Sequence, residues 1–173
     1  MDTPFDIKRL RIRQERADDA DDIGRVTAKA FAPMPFASGT EARIIEALRA
    51  AGALAVSLVA TAGDGLVGHV AFSPVTINDR PGDWYALGPL SVAPQIQKRG
   101  VGSALIASGL DRLRELRAGG CVLLGNPDYY GRFGFVSDHA LTYQGRPNRF
   151  FQRLVLIGPP VIGDVGFHPV FNE

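Results

Sequence analysis

The chain has 173 residues, 46% of them hydrophobic and 21% charged, with a formal net charge of +1. That length suits a single domain over residues 1–173 and buries roughly 70% of the unfolded surface, so no disulfide or metal staple is needed. The neutral balance gives no electrostatic case for nucleic acid or a membrane surface, and one cysteine, Cys121, excludes an intrachain disulfide framework.

Residues 1–16 are charged and lack the apolar centre of a signal peptide. No apolar run reaches the ~20 residues that cross a bilayer, so a cytoplasmic protein is expected. Residues 10–14 alternate apolar and basic side chains and read as an opening strand. Asp18 to Asp22 form an acidic cluster heading a helical pattern through Ile23, Val26, Ala30 and Phe31. Acids at a helix start suit its dipole, and a solvated first turn is the expectation. Pro33 and Pro35 end that helix. A second starts near Thr40, with Ile44, Ile45 and Leu48 apolar, and closes near Gly52.

Residues 54–62 form a strand, Gly63-Asp64-Gly65 a hairpin turn, and 67–77 the next strand. Residues 78–83 read as a loop into the strand 85–92. Gly88-Pro89 interrupts that strand. Proline cannot donate to a ladder and glycine weakens it, so the strand is expected to bulge or part from a neighbour there. A long helix at 101–117 follows, then a strand at 121–125. Asn126 and Pro127 supply an N-cap and first position for a short helix at 127–133. Residues 150–157 read as the last strand, with Pro159 and Pro160 ending regular structure.

The most informative stretch is Leu90-Ser91-Val92, then a proline, then Gln97-Lys98-Arg99-Gly100-Val101-Gly102-Ser103 opening the long helix. Strand, glycine turn, helix is how a backbone builds an anion site. The first helical turn leaves about four N–H groups unpaired, and the dipole adds roughly half a positive charge. Glycine lets a phosphate approach closely, and Lys98 and Arg99 add full charges. A Walker A loop needs Lys-Ser/Thr after the second glycine, which Gly102-Ser103-Ala104 does not supply. A dinucleotide fingerprint needs a small residue where Leu105 stands.

What remains, Gln97-x-x-Gly100-x-Gly102 after a strand, resembles the pyrophosphate loop of the GNAT superfamily of acyl-CoA-dependent N-acetyltransferases. Downstream, Tyr130-Gly-Arg-Phe-Gly134-Phe135 resembles that family's closing Tyr-x-x-x-Gly-Phe element. Leu87-Gly-Pro-Leu90 and Gly125-Asn-Pro-x-Tyr-Tyr-x-x-Phe-Gly-Phe135 are similar to its YhbS-like branch. The resemblance is specific from Leu87 to Phe135 and diffuse elsewhere.

The resemblance implies an α/β GNAT fold: a central mixed, mostly antiparallel sheet, helices on both faces, and a splayed strand pair holding the cofactor. It implies acetyl-CoA as co-substrate, an amine acceptor, and no metal. The cofactor's arm would pair with Leu90 and Val92, flanking Ser91. Its diphosphate would meet Gln97, Lys98, Arg99, Gly100, Val101, Gly102 and Ser103. Asn126 and Phe133 would border it. The Val92 N–H would stabilise the oxyanion, and Tyr130 would protonate the leaving thiolate, with Tyr129 as runner-up.

Other residues read more plainly. His69, His139 and His168 lack metal-ligand spacing and read as structural or surface residues. Ser103 lacks a nucleophile-elbow pattern. Cys121 sits in an apolar run and reads as an inert buried thiol. No acid stands out as general base; Glu41 is the nearest candidate. Two alternatives stay open: an acyl-CoA-binding module without turnover, and a nucleotide-phosphate enzyme sharing only the loop. The acceptor's identity and the oligomeric state, a homodimer included, are not written in the chain.

Overall fold

The computed structural model describes residues 4–63 and 65–173. Asp64, in the hairpin turn expected at 63–65, lies outside the described residues. In chain order the elements are β1 (Arg11–Gln14), α1 (Ala20–Phe31), α2 (Glu41–Ala50), β2 (Val56–Ala62), β3 (Gly65–Ile77) and β4 (Arg80–Val92). Then come α3 (Val101–Glu115), β5 (Gly120–Leu124), α4 (Pro127–Tyr130), β6 (Leu141–Tyr143), β7 (Phe151–Val155) and β8 (Gly163–Gly166). The strands form one sheet in the order β1-β2-β3-β4-β5-β7, with β8 beside β3 and β6. Pairing is antiparallel except β4 with β5 and β6 with β8. Leu105, Leu110 and Leu113 of α3 pack with Val70 and Phe72. On the opposite face Ile23 of α1 and Ile45 of α2 pack on Val59. The mixed, mostly antiparallel sheet with helices on both faces is the fold expected. Among the described residues no helix is long and apolar enough to cross a membrane.

Local chemistry explains the boundaries, including three that differ from expectation. In α1 the buried side chains Ile23, Val26, Thr27 and Ala30 recur at helical spacing. Asp19, just ahead of it, is not solvated. Its carboxylate accepts from Arg13 at 2.7 and 2.9 Å and from the Arg16 N–H at 2.6 Å. The loop read at 78–83 is only a two-residue turn. Asn78 and Asp79 take φ of 51° and 61°, the left-handed pair that matches a hairpin's twist, so β4 already begins at Arg80. Nor do Pro159 and Pro160 end regular structure. The chain returns as β8, where Thr76 and Ile77 pair with Gly166 and Val165. The Asp164 N–H donates to Asn78 Oδ1 at 2.9 Å, tying β8 to that same turn.

The feature that positions the site is where β4 leaves β5. The two strands pair only at Trp84, Tyr85 and Ala86, opposite Gly120, Cys121 and Val122. Beyond Ala86, β5 keeps pairing with β7 as far as Leu124. Meanwhile β4 continues beside β3 alone. Its register slips at Gly88-Pro89: Leu87 faces Phe72 while Leu90 faces Val70, so β4 carries one extra residue. A bulge bends its strand and strengthens the local twist. The expected parting of strands is present.

A polar row crosses the sheet beneath α1 and α2. Glu15 accepts from Arg49 Nε and Nη2 at 2.9 and 3.0 Å and from the Ser57 hydroxyl at 2.6 Å. Ser57 Oγ lies 2.8 Å from His69 Nε2, which donates to it once the Ser57 proton points at Glu15. Burial lowers the His69 pKa and keeps the ring neutral. Burial alone would raise the Glu15 carboxyl, but His69, Arg49 and Ser57 hold it far below the usual carboxylate range. Because the folded pKa is depressed, this stabilisation is full above the unfolded value of about 4.3 and fades as pH falls below it. Glu15→Ala is therefore expected to cost about 2–3 kcal/mol in urea unfolding at pH 7. The penalty should shrink between about pH 4 and pH 2. An unchanged urea midpoint at pH 7 would show that the row does not anchor the helical cover.

Candidate active site

Backbone alternation decides what β4 presents to the gap. The Ala93 N–H donates to the Val67 carbonyl at 2.8 Å, and Ser91 lies opposite His69. In an antiparallel pair, bonding to one neighbour alternates along the strand. Ser91 and Ala93 thus turn their N–H groups to β3. The N–H and C=O groups of Leu90 and Val92 turn toward the space β5 has vacated.

The turn after β4 is shaped for close approach. Lys98 has φ of 62°, and Gly100, at the helix N-cap, has φ of 92°, a conformation that favours glycine. The first internal bond of α3 runs from the Ala104 N–H to the Gly100 carbonyl at 3.0 Å. The N–H groups of Val101, Gly102 and Ser103 are therefore left without helical acceptors. A side-chain carbon on Gly102 would lie 2.9 Å from Tyr129 Oη. The two walls, α3 and α4, approach each other across this glycine.

Between them runs a cleft of about 500 Å³. Leu90 and Val92 form its floor, Gln97, Lys98, Gly100, Gly102 and Ser103 one wall, and Tyr129 and Arg132 the other. Ala30 and Met34 close its α1 end. A hollow of about 330 Å³ between α2 and the C-terminal segment has no glycine turn, and its Arg43 and Glu46 oppose one another in charge.

The remaining sequence-predicted residues do not line the cleft. Ser91 is buried, its hydroxyl 3.0 Å from Thr27 Oγ1 under α1. Val101 belongs to the core, and Arg99 is exposed outside the cleft lining. Asn126 caps α4, accepting from the Asp128 N–H at 3.0 Å. Phe133 packs edge-on to Tyr129 with ring centres 5.7 Å apart. Glu41 is committed to the head of α2, where it accepts from the Ser38 N–H and hydroxyl at 2.8 and 3.1 Å.

The two tyrosines part company. Tyr129 faces the cleft. Tyr130 turns inward against Gly125 and Phe135, with its ring centre 4.9 Å from that of Tyr129. Burial, with Tyr129 and Cys121 beside it, pushes the Tyr130 hydroxyl above its ordinary range, so it stays protonated. Cys121, which lies beside Tyr130, pairs with Tyr85 one step before the last shared pair, Ala86 with Val122, so Tyr130 sits close to where β4 and β5 part.

Arg132 is the cleft residue that sequence reasoning passed over. Its Nε donates to the Tyr129 carbonyl at 3.2 Å and its guanidinium stacks 4.5 Å over the Tyr129 ring. Arg132 thus brings a cation to the wall of the cleft, stacked on Tyr129. Its signal in the sequence was a cation three residues after an aromatic on a helical turn.

The profile of the Acetyltransferase (GNAT) family matches residues 26–135. The chain belongs to this family, and is thus an acetyltransferase by descent and by fold. Among its relatives is the N-acetyltransferase YhbS of Escherichia coli K12, 37% identical over 127 residues, 73% of each chain. A GNAT family acetyltransferase from Brucella melitensis, solved in complex with acetyl-CoA, is 44% identical with a TM-score of 0.84. That match covers 94% of this chain and 97% of the other. The structure of Escherichia coli YhbS in complex with CoA is 34% identical with a TM-score of 0.87, covering 95% and 93%.

Cys121 is fully buried, and burial raises its thiol well above the ordinary range, partly offset by the Leu87 N–H beside it. Maleimide labelling of the native protein is expected to proceed only as fast as the chain opens. Rapid labelling, coupled to loss of turnover, would contradict the inert reading.

Proposed function

We propose that residues 1–173 form one N-acetyltransferase domain that moves an acetyl group from acetyl-CoA directly to a primary amine. The observation that carries this is one cleft joining a free strand edge to an anion-seeking turn. The diphosphate would take the open N–H groups of Val101, Gly102 and Ser103, flanked by Lys98 and Arg132. The cofactor's arm would run along Leu90 and Val92 toward the point where β4 and β5 part. The CoA and acetyl-CoA held by the Escherichia coli and Brucella relatives support this direction.

The neutral amine attacks the thioester carbonyl, forming the C–N bond as the carbonyl oxygen gains charge. A backbone N–H on the open edge stabilises that oxygen. Geometry favours Leu90 over Val92 for this donor. Leu90 is the first N–H beyond Pro89 and lies about 6.6 Å deeper along the strand, nearer Tyr130. The C–S bond then breaks, and the departing thiolate takes its proton from Tyr130. Among the described residues no carboxylate or histidine lines the cleft, so water takes the proton the ammonium must lose. The acceptor would enter past Ala30 and Met34, where the walls carry no charge.

Two variants test this reading. Ser103→Glu places a carboxylate in the first turn of α3, which suits the helix dipole and spares the fold. It is expected to weaken CoA binding at least about tenfold in calorimetry, through repulsion of the diphosphate. Undiminished affinity would remove the turn as the phosphate site. Tyr130→Phe keeps the ring packing and should leave the KM for acetyl-CoA unchanged. Its kcat is expected to fall about 10²-fold or more, read as thiol release against a panel of amines. Full turnover in this variant would return Tyr130 to a packing role.

A further inference from the structure

Gln97 lies in the turn where a diphosphate contact is the obvious role, yet its side chain does not reach outward. Its Nε2 donates to the carbonyl of Val92 at 3.0 Å, folding back across the Pro94–Ile96 turn onto the strand it has just left. Val92 is one of the two residues whose backbone faces the gap.

That bond has consequences for the edge. A strand residue points its N–H and C=O to the same side. Without Gln97, Val92 would offer a donor and an uncapped acceptor in a half-buried cleft, and its peptide would be held by β3 on one flank only. An uncapped carbonyl there also repels any electron-rich oxygen brought near the neighbouring N–H. The Gln97 amide satisfies one lone pair, fixes the peptide plane, and leaves the Val92 N–H as the dominant feature of that step. A carbonyl oxygen has two lone pairs, so a second donor from a ligand still finds room.

We propose that Gln97 is a positioning residue for the free edge of β4: it holds the Val92 peptide in register for the amide-bearing arm of the cofactor, and it does not read the diphosphate. This rests on the reading of the cleft as the CoA site, so its test uses two ligands that divide the cofactor. Adenosine 3′-phosphate 5′-diphosphate carries the diphosphate without the arm; CoA carries both.

In calorimetry, Gln97→Leu is expected to weaken CoA about three- to tenfold, the fold-change of one lost hydrogen bond, and to leave the arm-less nucleotide unchanged. Gln97→Arg, which restores a donor of similar reach, should recover CoA binding relative to Gln97→Leu. The carbonyl ¹³C resonance of Val92 should move in Gln97→Leu and return in Gln97→Arg, which reports the bond itself, while a loss confined to CoA is what a merely structural role for the side chain would not produce. Equal weakening of both ligands in Gln97→Leu would overturn the proposal in favour of a diphosphate contact, and so would an unmoved Val92 resonance. Failure of the wild-type protein to bind either ligand would instead overturn the CoA reading itself.

Discussion

Everything in the site depends on β4 losing its partner. Buried backbone N–H and C=O groups must be bonded, and a strand interior to a sheet normally bonds on both flanks. Past Ala86, β4 bonds to β3 alone, while β5 is held away by β7. Closing the gap would need a regular ladder through Gly88-Pro89, and proline removes one donor from it. The bulge there makes the parting a built feature of the chain. A gap of this kind is a half-made β-pair. Its natural occupant is a ligand with amides of its own, able to lie alongside as a substitute strand.

The rest of the molecule keeps that gap open and aimed. On the α3 face, Leu90 and Val92 pack toward Gly102, so the strand edge and the first turn of α3 share one wall. On the other face, β4 is tied to α1 through Ser91 and Thr27, and the row from His69 through Ser57 to Glu15 and Arg49 carries the link to β1 and α2. These groups are poor candidates for proton transfer: the same bonds that anchor the carboxylate make it a weak base. Rigidity beneath the edge and openness above it come from the same strand. On the β5 side, α4 begins with Asn126 as its N-cap and presents Tyr129 to the cleft, with Tyr130 packed behind it on Gly125.

Much of this was legible in the residues. The glycine-proline pair announced the parted strand, and Gln97-x-x-Gly100-x-Gly102 announced the turn, because both are backbone requirements that only a few residue types meet. What stayed hidden depended on side-chain direction or distant partners. Nothing in Tyr129-Tyr130 says which ring turns inward; that follows from how α4 lies on Gly125 and Phe135. Gln97 was placed in the right turn, but the fold-back onto Val92 needs the three-dimensional path of the chain. Asp19 looked like a solvated helix start because its partner, Arg13, lies on a neighbouring strand. β8 is four residues long and begins and ends on glycine, too short for alternation to register, and the paired prolines before it read as an ending.

The most direct measurement is amide hydrogen exchange, residue by residue, with and without CoA. If the cofactor completes the edge of β4, added protection falls on Leu90 and Val92 and on Val101, Gly102 and Ser103. Ser91 and Ala93, already bonded to β3, should exchange as before. Protection spread evenly from Leu90 to Ala93, or confined to the 97–103 turn with Leu90 and Val92 unchanged, would contradict the account.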